Sequence, residues 1–117
     1  MTIENLSFLA DEAPGFAVSG SNITVLTEPT EFHEKLCTLV ANAKNRTVLA
    51  TLYLGTGEKE KTLIENVRKS LDASESAVKV RFLLDYCRGT RDVKGKSSCT
   101  MLFPLVQQYQ VCESCNQ

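Results

Sequence analysis

One histidine, His33, stands in the 117 residues, and its scarcity bears first on catalysis. His33-Glu34-Lys35 supplies the opening of an HxKxxxxD pattern, in which histidine attacks a phosphoryl group and lysine steadies its charge. The position owed to aspartate, however, is Val40. On an amphipathic helix, residues two apart do not face one substrate, so His33 reads as a lone exposed helical residue and no catalytic residue is assigned. Long apolar runs are also missing. None approaches the roughly 20 residues that span a bilayer, and the N-terminus lacks the basic, apolar and small-residue order of a secretory signal. Residues 1–14 hold no Arg or Lys but carry Glu4, Asp11 and Glu12, the reverse of a mitochondrial presequence. Charge of either sign is not in excess. A net charge of −1 with 23% charged residues gives no signal for nucleic acid, whose binders carry a basic face. Five cysteines, an odd number, argue against a disulfide framework. The single CxxC, Cys112 to Cys115, has no second pair or histidine to complete a metal site and reads as an uncommitted tail.

What is there centres on Arg46–Glu60, RTVLATLYLGTGEKE. Residues 47–54 are apolar with almost no polar relief, which predicts a strand covered on both faces, with Val48, Leu49 and Leu52 in the core. Gly55 and Gly57 then allow a tight turn into a helix. Upstream, Asn22–Leu26 predicts an edge strand. Pro29 opens a helix whose face carries Phe32, Leu36, Leu39, Val40 and Ala43. Downstream, Leu63, Ile64, Val67 and Leu71 mark a helix over 58–73, followed by a loop at 74–76 and a strand from Val78 to Asp85. A long loop, residues 87–98, leads to a short final helix with Pro104 in its first turns. The order β-α-β-α-β predicts an α/β fold, a mostly parallel sheet between two helix layers.

Ligands in such sheets bind at the carboxyl ends of the strands, so the turn after residue 54 and the loop after residue 85 are the candidate sites. Ala50, Thr51, Leu52, Tyr53, Leu54, Gly55, Thr56 and Gly57 have the small residue and later glycine of a phosphate-cradling loop, without the Lys and Ser/Thr that should follow. Shifting the frame to 55–62 supplies Lys61-Thr62 but places Glu60 where glycine is needed. A nucleotide is the candidate ligand there, against a tight turn that binds nothing. Asp85 either presents its carboxylate to a ligand or caps the next loop. Arg88, Arg91, Lys94 and Lys96, against the single acid Asp92, form a cationic loop suited to phosphate or an acidic lipid head group, or are merely solvated.

TLYLGTGEKEKTLI, VRFLLDYCRGTR and TMLFPLV, in that order and spacing, resemble the N-terminal part of the eukaryotic CDP-diacylglycerol–glycerol-3-phosphate 3-phosphatidyltransferases. These phosphatidylglycerophosphate synthases belong to the phospholipase D superfamily. The likeness runs from about Phe16 to Val106. It implies a mitochondrial enzyme of cardiolipin synthesis that moves a phosphatidyl group from CDP-diacylglycerol to glycerol 3-phosphate and releases CMP. It also implies a nucleotide loop at Ala50–Gly57, with no required cofactor and no metal, while the expected substrate contacts at Asp85, Arg88 and Arg91 rest on their place at the strand end and on their charge. On this reading residues 1–21 are a lead-in, 22–108 a partial phospholipase D-like α/β/α sandwich and 109–117 a divergent tail. The family's two HxKxxxxD motifs are absent, so the chain is expected to be a fragment, inactive alone and prone to self-association through an unfinished sheet. A noncatalytic phosphate- or nucleotide-binding module is the alternative, as is a regulatory product that pairs with a full-length partner.

Overall fold

A computed structural model describes residues 8–9, 12–73, 78–109 and 112–116, the last as backbone alone. Helix α1 (Pro29–Ala41) begins with Pro29 in its first turn, where the missing N–H costs nothing and φ is already helical. It turns Val40 fully inward, with Leu36, Cys37 and Ala43 against the same core. Phe32 and Leu39, expected on that face, are instead exposed. Strand β1 (Arg46–Thr51) follows, then α2 (Glu58–Ala73), whose Leu63, Ile64, Val67 and Leu71 are all buried as their spacing requires. The expected loop at 74–76 lies outside the described residues.

Strand β2 (Lys79–Asp85) pairs parallel with β1 in the register Thr47↔Val80 and Leu49↔Phe82. It runs directly into one turn of helix, α3 (Tyr86–Gly89), and a loop leads to α4 (Ser98–Tyr109). The last helix therefore starts at Ser98, the final residue of the expected loop, and Pro104 falls inside it rather than in its first turns. A third strand, β3 (Cys112–Asn116), pairs parallel with β2, giving the order β1-β2-β3. The fold is thus α/β with a parallel sheet.

Three expectations need correction. Asn22–Leu26 forms no strand: Asn22 ends a 3-10 turn that starts at Gly20, and the backbone after it is extended, but among the described residues it has no ladder partner and Val25 is 80% exposed. β-Branched residues favour extended backbone, yet a strand exists only where a neighbour accepts its hydrogen bonds. The missing strand is replaced by one in the tail at 112–116. Second, the central strand ends at Thr51, not residue 54, and among the described residues it is covered on one face only. Val48 and Leu52 are 59% and 56% exposed, and Leu49 is half-buried.

The third correction concerns the layers. In β2, Val80, Phe82 and Leu84 are buried, while Arg81 and Leu83 between them are exposed. Those three side chains share one cluster with Val40 of α1, the α2 stripe, and Leu102 and Leu105 of α4. Side chains alternate across a strand, so among the described residues the helices cover a single face of the sheet. The expected second helix layer is not among them. An apolar run with no polar relief suits two covered faces, but it cannot say whether both covers are present.

Candidate functional site

Parallel pairing puts the carboxyl ends of β1 and β2 at the same edge, and the chain leaves that edge through two segments that face each other. From β1 come residues 52–57. From β2 come α3 and the loop to α4. Between them lies a cleft of about 270 Å³, lined by Tyr53, Leu54, Gly55 and Thr56 on one side, Arg88, Arg91 and Val93 on the other, and Ser97 and Ser98 at its base.

Each wall has a local cause. Asp85 accepts the Arg88 N–H at 2.9 Å through Oδ1 and so caps α3, satisfying a donor that the helix start would leave unpaired. Gly89 is buried against the end of β2. A methyl group there would stand 3.2 Å from Leu84 Cβ and 3.7 Å from Cys99 Sγ, so the residue must be small for α3 to lie between strand and helix. The Thr90 N–H and hydroxyl both donate to the Tyr86 carbonyl, at 3.0 and 2.7 Å, and the Arg91 N–H donates to that of Arg88. The turn thereby continues past Gly89, and Arg88 and Arg91, three residues apart, fall on one side of it.

Beyond Arg91 the chain makes a two-residue hairpin. The Val93 N–H donates to the Lys96 carbonyl at 2.8 Å and the Lys96 N–H to that of Val93 at 3.2 Å, with Lys94 and Gly95 at φ of 56° and 77°. Asp92 Oδ1 accepts the Gly95 N–H at 2.9 Å. Ser97 and Thr100 then exchange side-chain and backbone hydrogen bonds, the reciprocal cap that starts α4. Ser98, buried, bonds to both backbone groups of Leu54: its Oγ accepts the amide N–H at 3.0 Å and its hydroxyl donates to the carbonyl. The exit of β1 and the start of α4 are joined at this point.

The electrostatics are one-sided. Among the described residues no carboxylate is part of the lining, and neither Arg88 nor Arg91 is in an ion pair. Two guanidiniums with free donors beside the hydroxyls of Tyr53, Thr56 and Ser97 suit an oxyanion carrying hydroxyl groups.

The residues predicted from sequence divide accordingly. Tyr53, Leu54, Gly55, Thr56, Arg88 and Arg91 are brought together. Ala50, Thr51 and Leu52 do not line the cleft, because β1 ends beneath it. Gly57 is also outside the lining. Its carbonyl accepts the Lys61 N–H at 3.2 Å and so begins α2. Asp85 takes the capping alternative. Lys96 borders a different groove, with Lys61, Ile64, Glu65 and Arg68, and Lys94 sits at the hairpin tip, so the four loop cations do not converge. His33 is half-buried rather than exposed, and its Nε2 donates to the Lys59 carbonyl at 2.9 Å, a link between α1 and α2 remote from the cleft. Val93, Ser97 and Ser98 were missed as lining residues. The Ser-x-x-Thr spacing of a helix cap at Ser97 was the available signal for two of them. The Cys112 and Cys115 side chains lie outside the described residues, and among those described no His/Cys/Asp/Glu group could hold a metal.

No family model matches the chain. It is 46% identical over 101 residues to the mitochondrial CDP-diacylglycerol–glycerol-3-phosphate 3-phosphatidyltransferase of Gallus gallus, covering 82% of this chain and 18% of that protein. The enzymes of the same name from Homo sapiens and Saccharomyces cerevisiae are 38% and 36% identical, covering 92% and 80% of this chain and 20% and 18% of theirs. The chain therefore spans about a fifth of the length of the curated relatives it matches. A crystal structure of phosphatidylserine synthase from Haemophilus influenzae superposes with a TM-score of 0.70 at 22% identity, over 82% of this chain and 21% of that one, which shows a shared fold.

Proposed function

We propose, for a chain that belongs by sequence with the CDP-diacylglycerol–glycerol-3-phosphate 3-phosphatidyltransferases, that it serves as a substrate-binding portion of such an enzyme. The reaction is transfer of a phosphatidyl group from CDP-diacylglycerol to glycerol 3-phosphate, with release of CMP, in mitochondria. The observation that carries this reading is the cleft where Arg88 and Arg91, in no ion pair among the described residues, meet the exit of β1. Guanidinium holds phosphate oxygens by paired donors, and two of them can fix the orientation of a phosphate before attack. The His-Lys-Asp set that would perform the transfer has no counterpart in this sequence, since Val40 stands where the aspartate would follow His33. The role is therefore binding and orientation rather than bond making. In the intact enzyme a second helix layer would cover the outward face of β1 and β2, completing a phospholipase D-like α/β/α sandwich.

Two measurements test the proposal. Purified chain supplied with CDP-diacylglycerol and glycerol 3-phosphate should form no phosphatidylglycerophosphate, and turnover above a no-protein control would show that the transfer chemistry was wrongly excluded. Glycerol 3-phosphate, but not glycerol, should shift the amide resonances of Gly55, Thr56 and Arg91, and Arg88→Ala/Arg91→Ala should abolish the shifts. Unchanged shifts in that double variant would move the site elsewhere.

A further inference from the structure

The glycine turn that opens onto the cleft is already occupied. A methyl group added at Gly55 would stand 2.9 Å from both Cδ and Oε1 of Glu60, and one added at Gly57 would stand 2.9 Å from Oε2. One carboxylate thus bridges the two glycine positions. With Gly57 at the cap, Glu60 is the third helical residue of α2, the position from which a glutamate reaches back over the helix start. The first N–H groups of a helix carry a partial positive charge that attracts anions, and here the chain's own anion sits there. In the frame of a phosphate-cradling loop over 55–62, Glu60 also replaces the glycine whose absence of a side chain would let phosphate approach the backbone.

We infer that Glu60 sets how many phosphates the cleft can use: it closes the anion position at the α2 start, so the cleft takes one phosphate on Arg88 and Arg91 and gains little from the second phosphate of a pyrophosphate. A second phosphate extending toward Gly55 and Gly57 would meet a carboxylate where a nucleotide loop offers bare backbone. Like charges placed so close oppose binding. The inference rests on the proposed cleft and sharpens it. The acceptor's single phosphate fits there, and the nucleotide loop expected at Ala50–Gly57 does not.

The test compares inorganic phosphate with inorganic pyrophosphate by calorimetry on the full chain, in metal-free buffer, for wild type, Glu60→Gln, Glu60→Ala and Arg88→Ala/Arg91→Ala. Wild type should bind pyrophosphate no more than about threefold tighter than phosphate. Glu60→Gln and Glu60→Ala should each raise the affinity for pyrophosphate roughly three- to tenfold, the effect of one charge at a helix start, while phosphate changes less than about twofold. Thermal unfolding of both variants separates this outcome from misfolding, and Glu60→Gln keeps the shape of the side chain. A preference for pyrophosphate of tenfold or more in wild type, or a ratio unmoved by both Glu60 variants, overturns the inference while leaving the cleft in place. Phosphate binding that survives Arg88→Ala/Arg91→Ala overturns the cleft itself. Absence of binding of both anions to wild type and to the Glu60 variants overturns both.

Discussion

The Ser98 hydroxyl holds both backbone groups of Leu54, accepting from the amide and donating to the carbonyl across a sequence separation of 44 residues. These two bonds join the exit of β1 to the start of α4 at the base of the cleft. Ser98→Ala leaves a partly buried N–H and C=O without this partner, which costs about 1–3 kcal/mol. The expected result is a lower melting temperature together with weaker glycerol 3-phosphate binding. A variant that melts like wild type would show that water replaces the hydroxyl without loss.

The core is asymmetric about the sheet, and substitutions should report that. Leu105 is 0% exposed within the cluster that contains Val67 and Leu102, so Leu105→Ala should cost about 2–5 kcal/mol. Leu52→Asp, by contrast, adds charge to an exposed position and should change stability by no more than about 0.5 kcal/mol. Denaturant unfolding of the two variants decides the matter. Loss of cooperative unfolding in Leu52→Asp would mean that the outward face is covered in solution.

Two surface pairs give opposite pH dependences. The Glu58 carboxyl is held below its ordinary 4.5, first by the hydrogen bond from Lys61 at 2.5 Å and then by that residue's charge. Its contribution to stability is present above pH 4.5 and is lost as pH falls through the lowered folded value. The Tyr109 hydroxyl is raised above 10.0, first because it donates to Asp72 Oδ1 at 2.5 Å, which ties the end of α4 to α2. That contribution is full below pH 10.0 and is lost as pH rises through the raised value. Both effects are small, since both groups face solvent. Glu58→Gln should flatten the acid limb of a melting-temperature profile and Tyr109→Phe the alkaline limb. Profiles that overlay the wild type would remove these pairs from the account.

Among the described residues strand β1 is an edge of the sheet, and beside it the outward face presents Val48, Leu52 and Leu83. An unpaired edge next to exposed apolar side chains recruits other chains. Sedimentation at micromolar concentration should find self-associated species, and Val48→Lys with Leu83→Lys should return the chain to monomer. A monomeric wild type under those conditions would refute this expectation.

Periodicity alone determined much of this protein. The spacing of Leu63, Ile64, Val67 and Leu71 gave helix α2 its limits and its buried stripe, and the β-branched alternation from Val78 gave β2. Both patterns reflect local geometry, which a sequence carries in full. The meeting of Arg88 and Arg91 with Leu54–Thr56 was also legible, because parallel strands bring their carboxyl ends together whatever the loops between them. Three features were decided only by the tertiary structure. Asn22–Leu26 has strand-forming residues but, among the described residues, no strand beside it to complete a ladder. Val48 and Leu52 are apolar and exposed, because burial depends on what lies over a face and not on the face itself. The Asp85 carboxylate caps α3 and that of Glu60 lies over Gly55 and Gly57, each turned back onto its own chain. A sequence names an acid and its position, but where the side chain aims is decided by what the fold brings within reach, which for Asp85 is the Arg88 N–H.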